Sequence, residues 1–548
     1  MAAQVSSGVL DSRSVEGGGA DHARRLFLGC FFSIFATSSA FIVRAMVITE
    51  WGTTFNLTEA QKGAIFPGAA LFPFAISIVL FSLFIDRIGY GKTMGFAVVA
   101  HFVGTIVTIL ATKATSTLGA YQLLYFGTLI TSLANGAVEC VANPVTATLF
   151  PRQKTHYLNI LHAGWPGGLV AMGVVTLLMG SSVSWEWKVA LVFIPTILYA
   201  VLCFGQKFPV QERVAAGVSY ADMMREFGAA GAFILAWFLT MATLTVVGIS
   251  LPHLTVGQSW QSLNNYLPPI VAFICAAVFF GLYKSFGRPM FVFLLLVMIL
   301  LATTELGVDS WVTDLMTPAF GKYAGWLLVY TSAIMFVLRF FAGPIVHRIS
   351  PLGLLACCAA TAAFALFVLS QVGAQVGLVI IAATLYGIGK SFFWPTTLGV
   401  VAEQFPKGGA LTLSAMGGMG MIAVGVLGGP FCGALVDNRM DARLSHEAPV
   451  IHNVVAGDPV TNYGMNYRPV NQAKVATLPP DEQAKFKTIQ GETKQGTLAT
   501  FAILPTIMFL CYLGLIGYFK SRGGYAAQHL PTMSGEEASG GIQAPVEA

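Results

Sequence analysis

Charged side chains are scarce in this chain of 548 residues. Asp, Glu, Lys and Arg make up 10% of it, whereas apolar residues make up 55% and the mean hydropathy is +0.72. This composition excludes a soluble globular domain, which needs more charge on its surface. The 30 basic residues against 25 acidic ones give no reason to expect a nucleic acid partner. We therefore expect an integral, multi-pass membrane protein with the lipid bilayer as its surroundings.

Patterns that mark enzymes and cofactor sites are also missing. All eight cysteines fall in apolar stretches, where they pack as small apolar residues instead of forming a disulfide or zinc framework. The sequence contains no nucleophile triad and no phosphate-binding loop. The first 21 residues are rich in Gly and Ser and carry several charges, unlike a secretory signal. We predict no enzyme activity, no cofactor and no metal.

Apolar stretches long enough to cross roughly 30 Å of hydrocarbon occur fourteen times. They are 24–47, 60–84, 91–112, 119–148, 157–180, 187–205, 229–250, 266–283, 290–315, 322–346, 352–371, 376–401, 410–436 and 497–520. The pattern predicts an all-α membrane protein with two six-helix halves and two additional spans between them.

Lys and Arg collect on one side of these spans. Only Lys62, Lys113, Lys188 and Lys322 fall at the short loops of the other side. Because cytoplasmic loops collect basic residues, we expect both termini in the cytoplasm, in a plasma or inner membrane. The predicted parts are a tail (1–23), a first half (24–205), a linker (206–228), a two-helix insertion (229–289), a second half (290–520) with an outer loop (437–496), and a tail (521–548).

The two halves share the pattern Gly-x-x-charge-x-x-x-x-Pro. Gly136 to Pro144 carries Glu139, and Gly387 to Pro395 carries Lys390. A charge inside a membrane span is costly, which marks both residues as candidates for function. Asn143 lies one turn after Glu139 on the same helix face. Lys390 is either the ion-pair partner of Glu139 or a contact for the substrate.

Two further charged residues inside spans are candidates for function, Glu305 and Arg44. Glu305 is a candidate for a second proton carrier. Asp309 lies one turn after Glu305 and is expected to be solvated near the outer surface. Arg44 either pairs with Glu305, binds substrate or extends its side chain to the outer interface. His162, Trp165 and Trp394 add the aromatic faces and polar groups that a sugar site needs.

The loop from Ser82 to Lys92 reads SLFIDRIGYGK, and a degraded copy reads GPIVHRIS from Gly343 to Ser350. It resembles the signature loop of the major facilitator superfamily. The resemblance implies the fold and the alternating-access mechanism of that family for about 24–205 and 290–520. We expect the gating residues to be Asp86, Arg87, Lys92, Arg339 and Arg348.

A narrower resemblance involves the fourth and fifth spans. Glu139-x-x-x-Asn143, followed by Leu158-Asn159 and His162, resembles the fucose-proton symporter branch of that superfamily. The resemblance implies that Glu139 and Asn143 line a sugar and proton site. One departure is the first span, which has no carboxylate and carries Arg44 instead.

Three functions follow as hypotheses. The first is a secondary transporter of a small polar solute, most of all a monosaccharide, with proton coupling through Glu139 or Glu305. The second is a transporter of carboxylate-bearing solutes, in which Arg44 and Lys390 bind the anion, or else an uncoupled facilitator. The third is a membrane sensor or scaffold that binds through the loop 437–496. In a transporter we expect this loop to be a partly ordered insertion without a direct role in transport, and a lid over the outer mouth is the alternative.

Overall fold

The computed structural model describes residues 19–530 apart from 59–60, 63, 251–257, 310–323 and 374. The helices of the first half are α1 (Gly19–Phe55), α2 (Phe72–Ile88), α3 (Tyr90–Ile109), α4 (Thr117–Leu149), α5 (Lys154–Met179), α6 (Trp185–Ala190) and α7 (Phe193–Cys203). A π-helical segment, Ala64–Leu71, leads into α2. Next come α8 (Glu212–Ala215) and a helix pair, α9 (Tyr220–Ser250) and α10 (Gln258–Tyr283).

The second half contains α11 (Pro289–Ala302), α12 (Ala324–Arg339), α13 (Ala342–Gln371), α14 (Val376–Lys390), α15 (Phe393–Gln404), α16 (Gly409–Ala423), α17 (Gly429–Glu447), α18 (Pro449–Val455), α19 (Gln472–Val475), α20 (Pro480–Phe501) and α21 (Ile503–Lys520). Two π-helical segments, Thr303–Gly307 and Val424–Gly428, continue α11 and α16. They pack against each other.

The all-α membrane fold is confirmed. In the described part of the chain, thirteen helical stretches are long and apolar enough to cross a membrane, and Gly325–Arg339 is a shorter apolar helix. Each corresponds to one predicted span, although residues 60, 63, 310–315 and 322–323 of these spans lie outside the described residues. The bounds differ most at the outer loop, because α17 continues to Glu447 and α20 already begins at Pro480.

Helix α4 is positioned by local signals and by close packing. It begins after Ser116, whose hydroxyl accepts a hydrogen bond of 3.1 Å from the Gly119 amide. Gly104 of α3 and Gly127 of α4 face each other, and a Cβ atom on either would lie 2.8 Å from the other's carbonyl oxygen. These two glycines let the helices approach closely, which buries the middle of α4.

The predicted outer loop is an ordered subdomain. Its strands β1 (Val460–Asn462) and β2 (Met465–Tyr467) pair antiparallel. Its apolar core is formed by Met440, Leu444, Ala448, Ile451, Val455, Leu478, Phe486 and Ile489. At the hairpin turn the Tyr463 hydroxyl donates a hydrogen bond of 2.6 Å to the Val426 carbonyl, inside the second π-helical segment. The subdomain is therefore joined directly to a helix of the second half.

Candidate functional site

A buried polar stripe runs along α4. Thr131, Asn135, Glu139 and Asn143 follow one another at intervals of four residues, and none is more than 6% exposed. Residues four apart share a helix face, and the stripe is about 18 Å long at a rise of 1.5 Å per residue. The prediction included Glu139 and Asn143 but missed Thr131 and Asn135, which the same spacing could have revealed.

Each member of the stripe bonds to a neighbouring group. Arg44 of α1 donates from Nη2 to Thr131 Oγ1 at 2.8 Å, and His101 of α3 bonds through Nε2 to Asn135 Oδ1 at 2.8 Å. Asn143 donates from Nδ2 to Glu139 Oε2 at 2.7 Å. The stripe therefore connects three helices of the first half.

His162 of α5 extends this network towards the second half. Its Nε2 lies 2.8 Å from Asn143 Oδ1. Because Asn143 uses its amide nitrogen for Glu139, its oxygen faces His162 and accepts the Nε2 proton. The backbone carbonyl of His162 accepts a hydrogen bond of 2.6 Å from Arg339 Nη1. Side chain and main chain of His162 thus link Glu139 to Arg339.

Arg339 joins the two halves. It is 1% exposed and donates from Nη2 to Glu305 Oε1 at 2.9 Å and from Nε to the Ser391 carbonyl at 2.7 Å. Its guanidinium therefore contacts α5, the π-helical segment of Glu305, and the end of α14. We call Glu139, Asn143, His162, Arg339 and Glu305 the central polar network.

The break between α14 and α15 supplies backbone groups to this network. Pro144 lies inside α4, whereas its counterpart Pro395 lies in the first turn of α15, just after the chain leaves the helix at Ser391. A helix end leaves carbonyl and amide groups without helical partners. The Ser391 carbonyl binds Arg339, and the Trp394 amide donates to Glu305 Oε2 at 3.2 Å.

Lys390 does not pair with Glu139, so that hypothesis is wrong. Its ammonium binds both carboxylate oxygens of Asp309 at 2.5 Å and lies 5.0 Å from the centre of the Tyr386 ring. Asp309 is 9% exposed, so the expectation that it is solvated is also wrong. The carboxylate is buried because the ammonium needs a charged partner at that depth.

Arg44 pairs with Thr131 and not with Glu305, and that pairing hypothesis is wrong. At 4% exposure its side chain does not extend to an interface, and its Nε has no hydrogen-bond partner among the described residues.

Trp165 is 9% exposed and its ring centre lies 5.9 Å from that of Phe41. Trp394 is 7% exposed and reaches the network through its amide.

The predicted gating residues separate into two groups. Asp86 forms an ion pair with Arg213 of α8, at one end of the bundle, which we call the Asp86 end. Arg87, Lys92 and Arg348 are exposed. Arg339, by contrast, lies in the central polar network.

A contact between the halves at the Asp86 end involves residues that sequence reasoning missed. Thr155 of α5 donates from Oγ1 to Glu403 Oε1 of α15 at 2.5 Å. The neighbouring Lys154 forms an ion pair of 2.5 Å with Glu212 of the linker helix α8. The second oxygen of Glu403 accepts a hydrogen bond of 2.7 Å from Tyr525, beyond α21. We call Thr155, Glu403 and Tyr525 the end clamp.

Comparison with known proteins defines the class. Residues 26–308, just over half of the chain, match the model of the Major Facilitator Superfamily, and the chain belongs to this family. Family and fold together indicate a transporter and not an enzyme, embedded in the membrane by many helices. None of the curated proteins matches the chain by sequence.

Solved structures share the fold at low identity. A single-residue variant of the fucose:proton symporter FucP of E. coli is 15% identical with a TM-score of 0.51, and the match covers 88% of this chain and 97% of the symporter chain. The proton:xylose symporter XylE, also of E. coli, is 12% identical with a TM-score of 0.56, and the match covers 89% of this chain and 95% of the XylE chain. The human organic anion transporter MFSD10 is 12% identical with a TM-score of 0.53, covering 89% and 99%.

Proposed function

We propose that this protein transports a small polar solute, a monosaccharide, by alternating access in symport with protons. The site is the central polar network together with Trp165 and Trp394. One observation carries the proposal. Buried polar contacts run without interruption from Glu139 to Glu305 and cross between the two halves at His162 and Arg339.

The chemistry of this network suits a neutral hydroxylated solute. Asn143 and His162 offer donors and acceptors, and Trp165 lies nearby on the same helix as His162. Arg339 and Glu305 neutralise each other, as do Lys390 and Asp309. A solute without net charge can bond Asn143 and His162 while both ion pairs stay intact, so no buried ion loses its partner. The similarity in fold to sugar symporters agrees with this solute class.

Glu139 is the proposed proton carrier. It is 5% exposed, and its carboxylate bonds the neutral Asn143 without a cationic partner among the described residues. An ionised carboxylate is costly to bury without a counter-charge. Gaining and losing a proton as the site opens to either side would therefore couple proton movement to the change of state.

Uptake by reconstituted proteoliposomes tests the proposal. We expect an imposed inward proton gradient to drive accumulation of at least one of a panel of labelled monosaccharides. Glu139→Gln should keep counterflow exchange but lose gradient-driven accumulation, because the side-chain amide of Gln still accepts a hydrogen bond from Asn143 but does not gain or release a proton. Asn143→Ala should lose both activities. Asp21→Asn, at an exposed position in the first turn of α1, is the matched control. Accumulation unchanged in Glu139→Gln would refute the assignment of the proton carrier.

Arg44 supports a second candidate, transport of an organic anion. It is a buried cation that, among the described residues, hydrogen-bonds to the Ala40 carbonyl and to Thr131 and has no anionic partner. The Lys390 side chain is already neutralised by Asp309, so Arg44 would have to bind the carboxylate. If this candidate is correct, Arg44→Gln abolishes uptake of an organic acid while neutral sugars neither bind nor compete. A sensor or scaffold would instead bind ligand without any flux.

A further inference from the structure

A polar cavity lies at the end of the first half away from the end clamp. It has a volume of about 560 Å³ and is bounded by the end of α1, the end of α5 and the start of α6. Its polar lining includes Glu50, Thr176, Ser184, Glu186 and Lys188. Thr176 is fourteen residues after His162 on α5, which places it about 20 Å along the helix from the central polar network.

Two polar atoms in this cavity have no partner within the described part of the chain. Thr176 is 6% exposed, and its Oγ1 makes no hydrogen bond there. The Oε2 atom of Glu186 is buried and also makes none. Buried polar atoms in folded proteins are nearly always bonded. Both atoms are therefore acceptors of cavity-lining residues whose hydrogen-bonding capacity the described residues leave unused.

The charge of the cavity favours a cation. Lys188 is 2% exposed and forms an ion pair with Glu50, so these two charges cancel. Glu186 remains as an unpaired negative charge among the lining residues. An opposite charge close to a partly desolvated carboxylate is attracted more strongly than one in bulk water.

We infer that this cavity is a second solute site, which binds a small hydroxylated ammonium ion of the amino sugar or amino alcohol class. The ammonium group binds Glu186, and a hydroxyl group bonds Thr176. Trp185, held edge-on against Trp51 and Phe55 at ring separations of 5.8 Å, closes one side of the site. By the predicted orientation the cavity faces the outside, where a solute would meet it first.

Equilibrium binding of D-glucosamine and D-glucose to the purified full-length protein tests this inference. The two probes differ in one group, which is an ammonium in D-glucosamine and a hydroxyl in D-glucose. Calorimetry in detergent at mildly acidic pH measures binding without any transport. We expect D-glucosamine to bind at least about tenfold more tightly than D-glucose. Glu186→Gln should remove this preference, whereas Glu186→Asp should retain it. Thr176→Val should weaken D-glucosamine binding about threefold to tenfold. Asp458→Asn removes an exposed acid elsewhere and should change nothing.

Several results would overturn the inference. Equal binding of both probes, or a preference that survives Glu186→Gln, excludes the ammonium site. Binding that is lost in Asn143→Ala but not in Glu186→Gln places the ligand in the central polar network instead. Because binding is measured without transport, this inference and the proposed function can fail separately.

Discussion

Arg339 in the second half donates a hydrogen bond of 2.6 Å to the backbone carbonyl of His162 in the first half. The same guanidinium binds Glu305 at 2.9 Å and the Ser391 carbonyl at 2.7 Å. One buried side chain thus connects a contact between halves to a carboxylate of the proposed site. Any separation of the halves at this depth must break the bond to His162.

Arg339→Lys should lower uptake at least about tenfold, since an ammonium cannot reproduce the fixed fork of a guanidinium. Arg339→Ala should also lower the free energy of unfolding by about 3–5 kcal/mol, because it leaves Glu305 buried without its partner. Proteoliposome uptake and unfolding in mild detergent measure the two effects. Wild-type uptake in Arg339→Lys would show that the fork is not needed.

The Lys390–Asp309 pair should behave as a unit. Lys390→Met and Asp309→Asn alone should each cost about 3–5 kcal/mol of unfolding free energy, because each leaves one buried charge unpaired. The double variant should cost clearly less than the sum of the two. Arg443 and Glu447 form an exposed pair and serve as the control, for which about 0–1 kcal/mol is expected. Additive losses at Lys390 and Asp309 would contradict the buried pair.

Breaking the end clamp should open the Asp86 end. Glu403→Ala removes the bond to Thr155, so a state with the halves apart at this end gains population. Spin labels at positions 152 and 407, in a cysteine-free background, measure the distance between the halves. Tyr525→Phe removes the bond from Tyr525 to the same carboxylate but keeps the one to Thr155, and should have the smaller effect. Identical distance distributions in wild type and Glu403→Ala would exclude a clamp.

The hydrogen bond that docks the hairpin through Tyr463 should make the stability of the protein depend on pH in alkaline solution. Burial raises the pKa of Tyr463 to about 12, whereas the unfolded chain releases this proton near pH 10. The contribution of the group is complete below pH 10 and is lost as the pH rises towards 12. The midpoint temperature of thermal unfolding should therefore fall more steeply between pH 10 and pH 12 in wild type than in Tyr463→Phe. Parallel declines would mean that the hydroxyl is not docked.

Composition and spacing were enough to predict the fold class, because only helices and closed β-barrels satisfy their backbone hydrogen bonds in the bilayer, and apolar stretches of about 20 residues have the length of helices. The same argument singled out Glu139 and Lys390, since a charge in a span is visible in the sequence. Asn143 followed from its position one turn later on the same helix face. These are properties of single helices, which a local pattern determines.

The partners of the buried charges were decided by the tertiary structure alone. Lys390 binds Asp309 and Glu305 binds Arg339, although the repeat suggested Glu139 for Lys390. Similar patterns around Pro144 and Pro395 produce a continuous helix in one half and a break in the other. The sequence determined which helices carry charge. How they pack determined which charges meet, because residues far apart in the chain come together only through the approach of whole helices.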